Sequence, residues 1–270
     1  MNNLVIRSIA GIIFSVVVIC SALLGELALG ILFLVFSSIG LYEFYTITSE
    51  SSKNPEVKWI GLLLGIALYL VLFFVFTDVI EVKFLWIFPA LLSVLFCALL
   101  LRIEQKQMEH LAFTLMGLIY VVFPFSLVNL LAHVDGQFNY EWPVGFFLIL
   151  WANDTGAYIT GKFLGKTKLY EKVSPNKTWE GLMGGIVFAF AVAWILSHYF
   201  ISVPLNQWLV VSVIISIFGN LGDLFESMLK RRFNVKDSGS IMPGHGGALD
   251  RFDGLLMSMP VVICYLILFS

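Results

Sequence analysis

In the segment NQWLVVSVIISIFGNLGDLFESMLKRR, Asp223, Glu226, Ser227, Lys230 and Arg231 fall at i, i+3, i+4, i+7 and i+8, on one face of a helix. Asp223 lies about 10 Å deeper along that helix than Lys230. Ion pairing one or two turns along accounts for part of this face. A water-filled, cation-holding cavity also accounts for the depth of Asp223. In Leu249-Asp250-Arg251-Phe252-Asp253-Gly254, two carboxylates stand one turn apart. They can act as dipole partners at a helix N-terminus or, with Asp223, as an oxygen-only site for a hard cation. Mg²⁺ suits such a set, because it is held by one or two carboxylates, waters and substrate phosphates.

Further polar groups interrupt apolar sequence. In WANDTGAYITGKFLG, Asn153, Asp154 and Thr155 break a hydrophobic helix, and Asp154 shares a face with Ala157, Tyr158, Gly161 and Lys162. A helix–helix hydrogen bond is the structural reading of Asp154. Residues 162–177, KFLGKTKLYEKVSPNK, carry five lysines, and residues 230–251 carry five basic residues among glycines. Both segments can set membrane topology, or gather phosphates through side-chain cations and glycine amides. His245, within Pro243-Gly244-His245-Gly246-Gly247, sits in an ordinary turn or in a tight loop approaching a ligand. Glu26 and Glu43 fall near the ends of apolar runs, where interfacial water is expected to solvate them.

The elements that must position these groups follow from composition. Hydrophobic residues make up 59% of the 270 and charged residues 13%, with 25 Phe; mean hydropathy is +0.93. Globular domains hold roughly 45–50% and about 25%, and a chain of this size cannot hide so much apolar surface in a soluble core. Disordered chains are polar, so disorder is excluded too. A net charge of −2 gives no global reason to expect nucleic-acid binding. Cys20, Cys97 and Cys264 lie in separate apolar runs without metal-ligand spacing and read as small hydrophobes. The expected class is an all-α integral membrane protein.

A helix needs about 20 apolar residues to cross the hydrocarbon. That ruler gives a polytopic bundle of about nine transmembrane helices, near 4–24, 27–48, 58–77, 83–101, 109–132, 143–163, 178–201, 206–230 and 249–269. The N-terminal run, with Arg7 as its basic residue and no Ala-x-Ala cleavage site, reads as a retained first span. With the N-terminus cytoplasmic, fifteen of the sixteen Lys and Arg fall on that side and Lys83 alone on the other. The C-terminus is then outside. Residues 1–132 form N-terminal transmembrane helices, and residues 133–270 a catalytic region with cytoplasmic loops 162–177 and 230–251. Gly161-xxx-Gly165 and Gly181-xxx-Gly185 favour close helix approach, which is compatible with a homodimer.

Residues Ser227 to Asp253, SMLKRRFNVKDSGSIMPGHGGALDRFD, resemble the signature of phosphatidate cytidylyltransferases, also called CDP-diacylglycerol synthases. The family pattern runs Ser-x-apolar-Lys-Arg, four residues, Lys-Asp, Pro-x-His-Gly-Gly and Asp-Arg-x-Asp. Ser227, Lys230, Arg231, Lys236, Asp237, Pro243, His245, Gly246, Gly247, Asp250, Arg251 and Asp253 match it. Ala248 departs, standing where the family has a larger aliphatic residue. WANDTGAYITGKFLGK and SPNKTWEG also resemble the family, so the likeness covers roughly the C-terminal half. Residues 1–130 resemble it only as a bundle of spans.

The resemblance implies that CTP and phosphatidic acid give CDP-diacylglycerol and pyrophosphate, in phospholipid biosynthesis at a bacterial inner membrane. It implies Asp223 and Asp250 as the leading Mg²⁺ ligands, alone or with a second cation, supported by Asp253 and Ser227. Lys230, Arg231, Lys236 and Arg251 would hold phosphates, His245 would touch substrate, Gly244 to Gly247 would shape the loop, and Asp237, Gly246 and Gly247 would belong to the substrate-binding residues. Asn153, Asp154 and Lys177 would line the same cavity. A lipid phosphate is already an ionised nucleophile, so Ser227 is not expected to act as a covalent one. A transporter is the main rival reading, but its polar groups would gather near the midplane rather than at one end. A structural scaffold leaves Asp223 and the His-Gly-Gly turn unexplained.

Overall fold

The computed structural model describes residues 3–49, 55–100, 105–171, 173–239 and 246–269. Among the described residues, ten α-helices carry the fold: α1 (Asn3–Leu23), α2 (Glu26–Ser49), α3 (Pro55–Phe76), α4 (Ile87–Leu100), α5 (Gln105–Gly117), α6 (Phe123–Ala132), α7 (Glu141–Leu164), α8 (Trp179–Tyr199), α9 (Leu205–Arg232) and α10 (Leu249–Phe269). A helix runs along each expected apolar segment. The α5–α6 segment is continuous through a π-helical stretch at Leu118–Val122, and a short 3₁₀ turn at Val82–Trp86 leads into α4.

Among the described residues, six helical stretches are long and apolar enough to cross a membrane: Glu26–Thr48, Lys58–Phe76, Leu111–Ala132, Trp179–Tyr199, Leu205–Arg232 and Leu249–Phe269. The apolar runs Ile9–Leu23 and Val82–Leu91 are shorter, and α7 is made more polar by Glu141, Asp154 and Lys162. Large apolar side chains coat the outside of the bundle, with Ile12 63%, Phe163 75% and Ile201 87% exposed. Such a surface suits lipid rather than water. The chain is an integral membrane protein.

Phenylalanines dominate the centre. The Phe252 ring lies 4.9 Å from both Phe36 and Phe125, 5.3 Å from Phe14 and 6.0 Å from Phe33. Offset and edge-on ring pairs of this kind add about 0.5–1.5 kcal/mol each beyond burial. They lock the start of α10 into α1, α2 and α6, so helices from both halves of the chain share one core. Asp250 and Asp253, flanking Phe252, inherit that fixed position.

The small-residue faces of α7 and α8 meet within the chain. A Cβ on Gly181 would stand 3.0 Å from the Ala157 carbonyl and 3.3 Å from the Cα of Gly161, and one on Gly185 would stand 2.6 Å from Asn153 Oδ1. Backbones approach this closely only where side chains are absent. The segment expected as a lysine-rich loop is partly ordered as an antiparallel hairpin of β1 (Lys168–Tyr170) and β2 (Ser174–Thr178). Thr178 ends the hairpin and caps α8, accepting the Gly181 N–H at 3.1 Å. Glu180 accepts the Lys166 and Thr167 amides from the same turn. The hairpin is thereby tied to the start of α8.

Candidate active site

The long helix α9 sets the frame, because its carboxylates and lysine recur at helical spacing. Their partners divide between two clusters. Glu226, 1% exposed, accepts from Lys230 Nζ at 3.2 Å, an i,i+4 pair within the helix. Lys230 also reaches Asp250 Oδ1 on α10 at 2.5 Å. Asp223, one turn earlier, finds its cation outside the helix. Lys177 at the end of β2 lies 2.6 Å from Asp223 Oδ2 and donates to the Asn220 carbonyl at 3.2 Å. Ser227 donates to Asp223 Oδ1 at 3.3 Å. Ion pairing therefore accounts for Glu226, while Asp223 faces a chamber built from several elements.

That chamber holds about 330 Å³ and is lined by Asp154, Lys177, Asp223, Asp250, Arg251 and Asp253, with Trp151 and the Ala10–Ser15 stretch of α1 on its apolar side. A second cavity of about 590 Å³, bordered by α7, the hairpin and α8, opens against the same Asp154, Lys177, Asn220 and Asp223. The two spaces meet at the Lys177–Asp223 pair. Asn153, fully buried beside this junction, donates to Asp154 Oδ1 at 3.4 Å, and its own Oδ1 is buried with no hydrogen-bond partner among the described residues.

Asp250 is held by hydrogen bonds on both of its carboxylate oxygens. Its Oδ2 accepts from Ser238 N and Ser238 Oγ, both at 2.9 Å, and from Gly247 N at 2.8 Å. Gly246 adopts φ +80°, and a Cβ there would crowd the Asp250 carboxylate. The Gly246-Gly247 pair is thus needed to let backbone close over Asp250. Asp253 Oδ1 accepts its neighbour's amide, Gly254 N, at 2.7 Å.

Not every expected residue joins the chamber. Arg231, Lys236 and Asp237 are exposed and outside both cavity linings. His245, with Pro243 and Gly244, lies outside the described residues. Two buried polar groups outside both cavity linings pack against the helices that carry the site, and sequence reasoning placed neither there. Tyr120, on the π-helical stretch, has a buried hydroxyl with no partner among the described residues, and its ring lies 5.0 Å from Phe225. π-Helical insertions often mark functional sites, but apolar spacing does not reveal them. Glu43 of α2 is 3% exposed, not solvated at an interface as its place near a run end implied.

Among the described residues, no three His, Cys, Asp or Glu are gathered into a ready-made metal cage. The donors facing the chamber are carboxylate oxygens, and each of Asp223 and Asp250 is neutralised by a different lysine.

Fold and site together define an integral membrane protein with a charged chamber at one end of a helical bundle, where anionic groups and cations are held side by side. The chain belongs to the cytidylyltransferase family, whose model matches residues 5–269. It is similar to the phosphatidate cytidylyltransferase of Bacillus subtilis (strain 168), with 34% identity over 270 residues covering 98% of each chain. It is also similar to the phosphatidate cytidylyltransferases of Staphylococcus haemolyticus (strain JCSC1435), 52% identical over 123 residues, and Staphylococcus epidermidis (strain ATCC 12228 / FDA PCI 1200), 50% identical over 123 residues; each alignment covers 45% of this chain and 47% of the relative. The likeness thus reaches past the C-terminal half that carries the signature.

Proposed function

We infer that this chain is a phosphatidate cytidylyltransferase, joining CTP and phosphatidate to give CDP-diacylglycerol and pyrophosphate. The observation that carries the site is the convergence of Asp223, Asp250, Arg251 and Asp253 with Lys177 on one chamber. Two polyanions must meet for this reaction, since the lipid phosphate attacks the α-phosphorus of CTP. Lys177 and Arg251 face the chamber and are suited to hold phosphates and offset their repulsion. Lys230 ties Glu226 on α9 to Asp250 on α10 and so holds the two helices in register. Trp151 and α1 supply apolar walls beside the charged floor, which suits a substrate with a lipid end. No side-chain nucleophile is required, and Ser227 serves through its hydrogen bond to Asp223.

The carboxylate oxygens of Asp223 and Asp250, supported by Asp253, suit Mg²⁺, which takes one or two protein carboxylates and completes its shell with water and phosphate. When bound, Mg²⁺ would neutralise charge on the transferring phosphate and the pyrophosphate leaving group. In the free protein Lys177 and Lys230 are the counter-charges of Asp223 and Asp250. Purified protein given CTP, Mg²⁺ and phosphatidic acid in mixed micelles should yield a CDP-lipid; ion flux without any CDP-lipid would favour the transporter reading.

Nine spans, a cytoplasmic N-terminus and a chamber open to the cytoplasm of a bacterial inner membrane complete the reading, supported by the fifteen-to-one distribution of basic residues. A reporter fused after Ser270 is expected outside and one inserted near Thr167 inside. Finding both on one side would refute an odd number of spans between Thr167 and Ser270.

The hairpin lysines give a separate test. Lys168 donates to the Pro175 carbonyl at 2.6 Å, and both Lys166 and Lys168 are exposed. Replacing Lys166, Lys168 and Lys172 with Gln should raise the apparent KM for CTP or lipid several-fold at low salt, with the difference shrinking as screening increases. Unchanged kinetics with altered insertion would leave these lysines a role in topology only.

A further inference from the structure

Glu43 belongs to α2, far in sequence from the signature, yet its carboxylate lies against Ser238, Gly239, Gly247 and Leu249 at the start of α10. It stands about 9 Å inside the end of α2 and is 3% exposed. A buried carboxylate in a membrane-embedded helix is expensive to keep and calls for a specific reason. Glu43 Oε2 accepts the Leu249 N–H at 3.1 Å, across 206 residues of sequence. Leu249 opens α10, so the carboxylate meets unsatisfied amides at a helix N-terminus.

The same oxygen reaches Asp250 through one intermediary. Ser238 Oγ lies 3.2 Å from Glu43 Oε2 and 2.9 Å from Asp250 Oδ2, so the hydroxyl stands between the two carboxylates and within reach of both. A Cβ on Gly239 or on Gly247 would run into the Glu43 carboxylate. Both flanks of the signature turn therefore wrap around this one side chain. Gly247 in turn donates to Asp250.

We propose that Glu43 is a positioning residue for cytidylyl transfer: it holds Ser238, the Gly246-Gly247 backbone and the first turn of α10, and through them fixes Asp250 in the chamber. The inference rests on the reading of Asp250 as part of the reacting cluster. It also assigns the N-terminal half a part in the site beyond packing.

The test compares wild type, E43Q, S238A, the E43Q/S238A double variant and D250N as full-length proteins in detergent, with kcat expressed per folded molecule from gel filtration. E43Q and S238A should each lower kcat tenfold or more while KM for CTP changes less than threefold. The double variant should be no worse than the worse single, because both act along one chain of contacts. Trypsin should cut after Lys236 faster in E43Q than in wild type, with cleavage after Lys168 on the hairpin unchanged. A purely structural Glu43 would lower the folded yield but leave kcat per folded molecule within twofold of wild type, and that result would overturn the proposal. If E43Q does not fold, S238A decides alone, and a kcat within twofold of wild type overturns it. An active D250N would remove the site reading itself, whereas an inactive D250N beside an active E43Q removes only the positioning role.

Discussion

Asp223→Asn and Asp250→Asn should each lower CDP-lipid formation by about 100-fold or more, since a lost carboxylate charge removes several kcal/mol of metal attraction at about 1.4 kcal/mol per tenfold. Asn keeps the size of Asp and one coordinating oxygen, so insertion should persist. Asp223 bonds Lys177 and Ser227, whereas Asp250 bonds Lys230, Ser238 and Gly247, so their structural partners are separate. Losses of thermal stability should accordingly add in the double variant. Losses of activity should not, because groups that serve one ion fail as a unit. Measuring both across a Mg²⁺ titration separates the two kinds of effect. Near wild-type turnover of either variant at saturating Mg²⁺ would remove that residue from the metal site.

Lys230→Met should be the most damaging single change for stability. The Lys230 side chain is 14% exposed and neutralises Glu226 and Asp250, whose side chains are 2% and 10% exposed. Removing the cation leaves Glu226 and Asp250 buried without their shared counter-charge, and breaking a buried pair in this way costs about 3–5 kcal/mol. Thermal unfolding in detergent should show a large fall in Tm, and activity should be lost with it. Lys230→Met/Glu226→Gln should recover part of the stability, because one orphaned charge is gone, while activity stays low. No loss of Tm in Lys230→Met would show that the cluster does not depend on Lys230 for its charge compensation.

The helices were legible because a run of about twenty apolar residues is a strong local signal, and among the described residues six of them are long and apolar enough to cross a membrane. The Asp223-to-Arg231 face was legible because helical spacing fixes which residues share a side. Local sequence gives depth and periodicity but not which neighbouring helix a side chain meets. That is why Glu43 read as solvated at a run end, although it contacts Ser238 across 195 residues. Tyr120 was hidden for a related reason, since it lies on a π-helical stretch that shifts the regular phase. The choice between structural and functional readings of the acidic face also needed tertiary partners: Glu226 pairs within α9, but Asp223 pairs with Lys177 from the hairpin. Likewise, the glycine stripes read as contact surfaces, but only the fold shows that α7 and α8 use them on each other.

Following label from CTP into product tests the proposed chemistry most directly. With the α-phosphate of CTP labelled, purified protein, phosphatidic acid and Mg²⁺ should carry the label into the lipid product, while label placed in the γ-phosphate should leave as pyrophosphate. Both transfers should stop in Asp250→Asn. Label from the γ-phosphate appearing in lipid, or no labelled lipid from either position with a folded protein, would contradict attack of the lipid phosphate on the α-phosphorus.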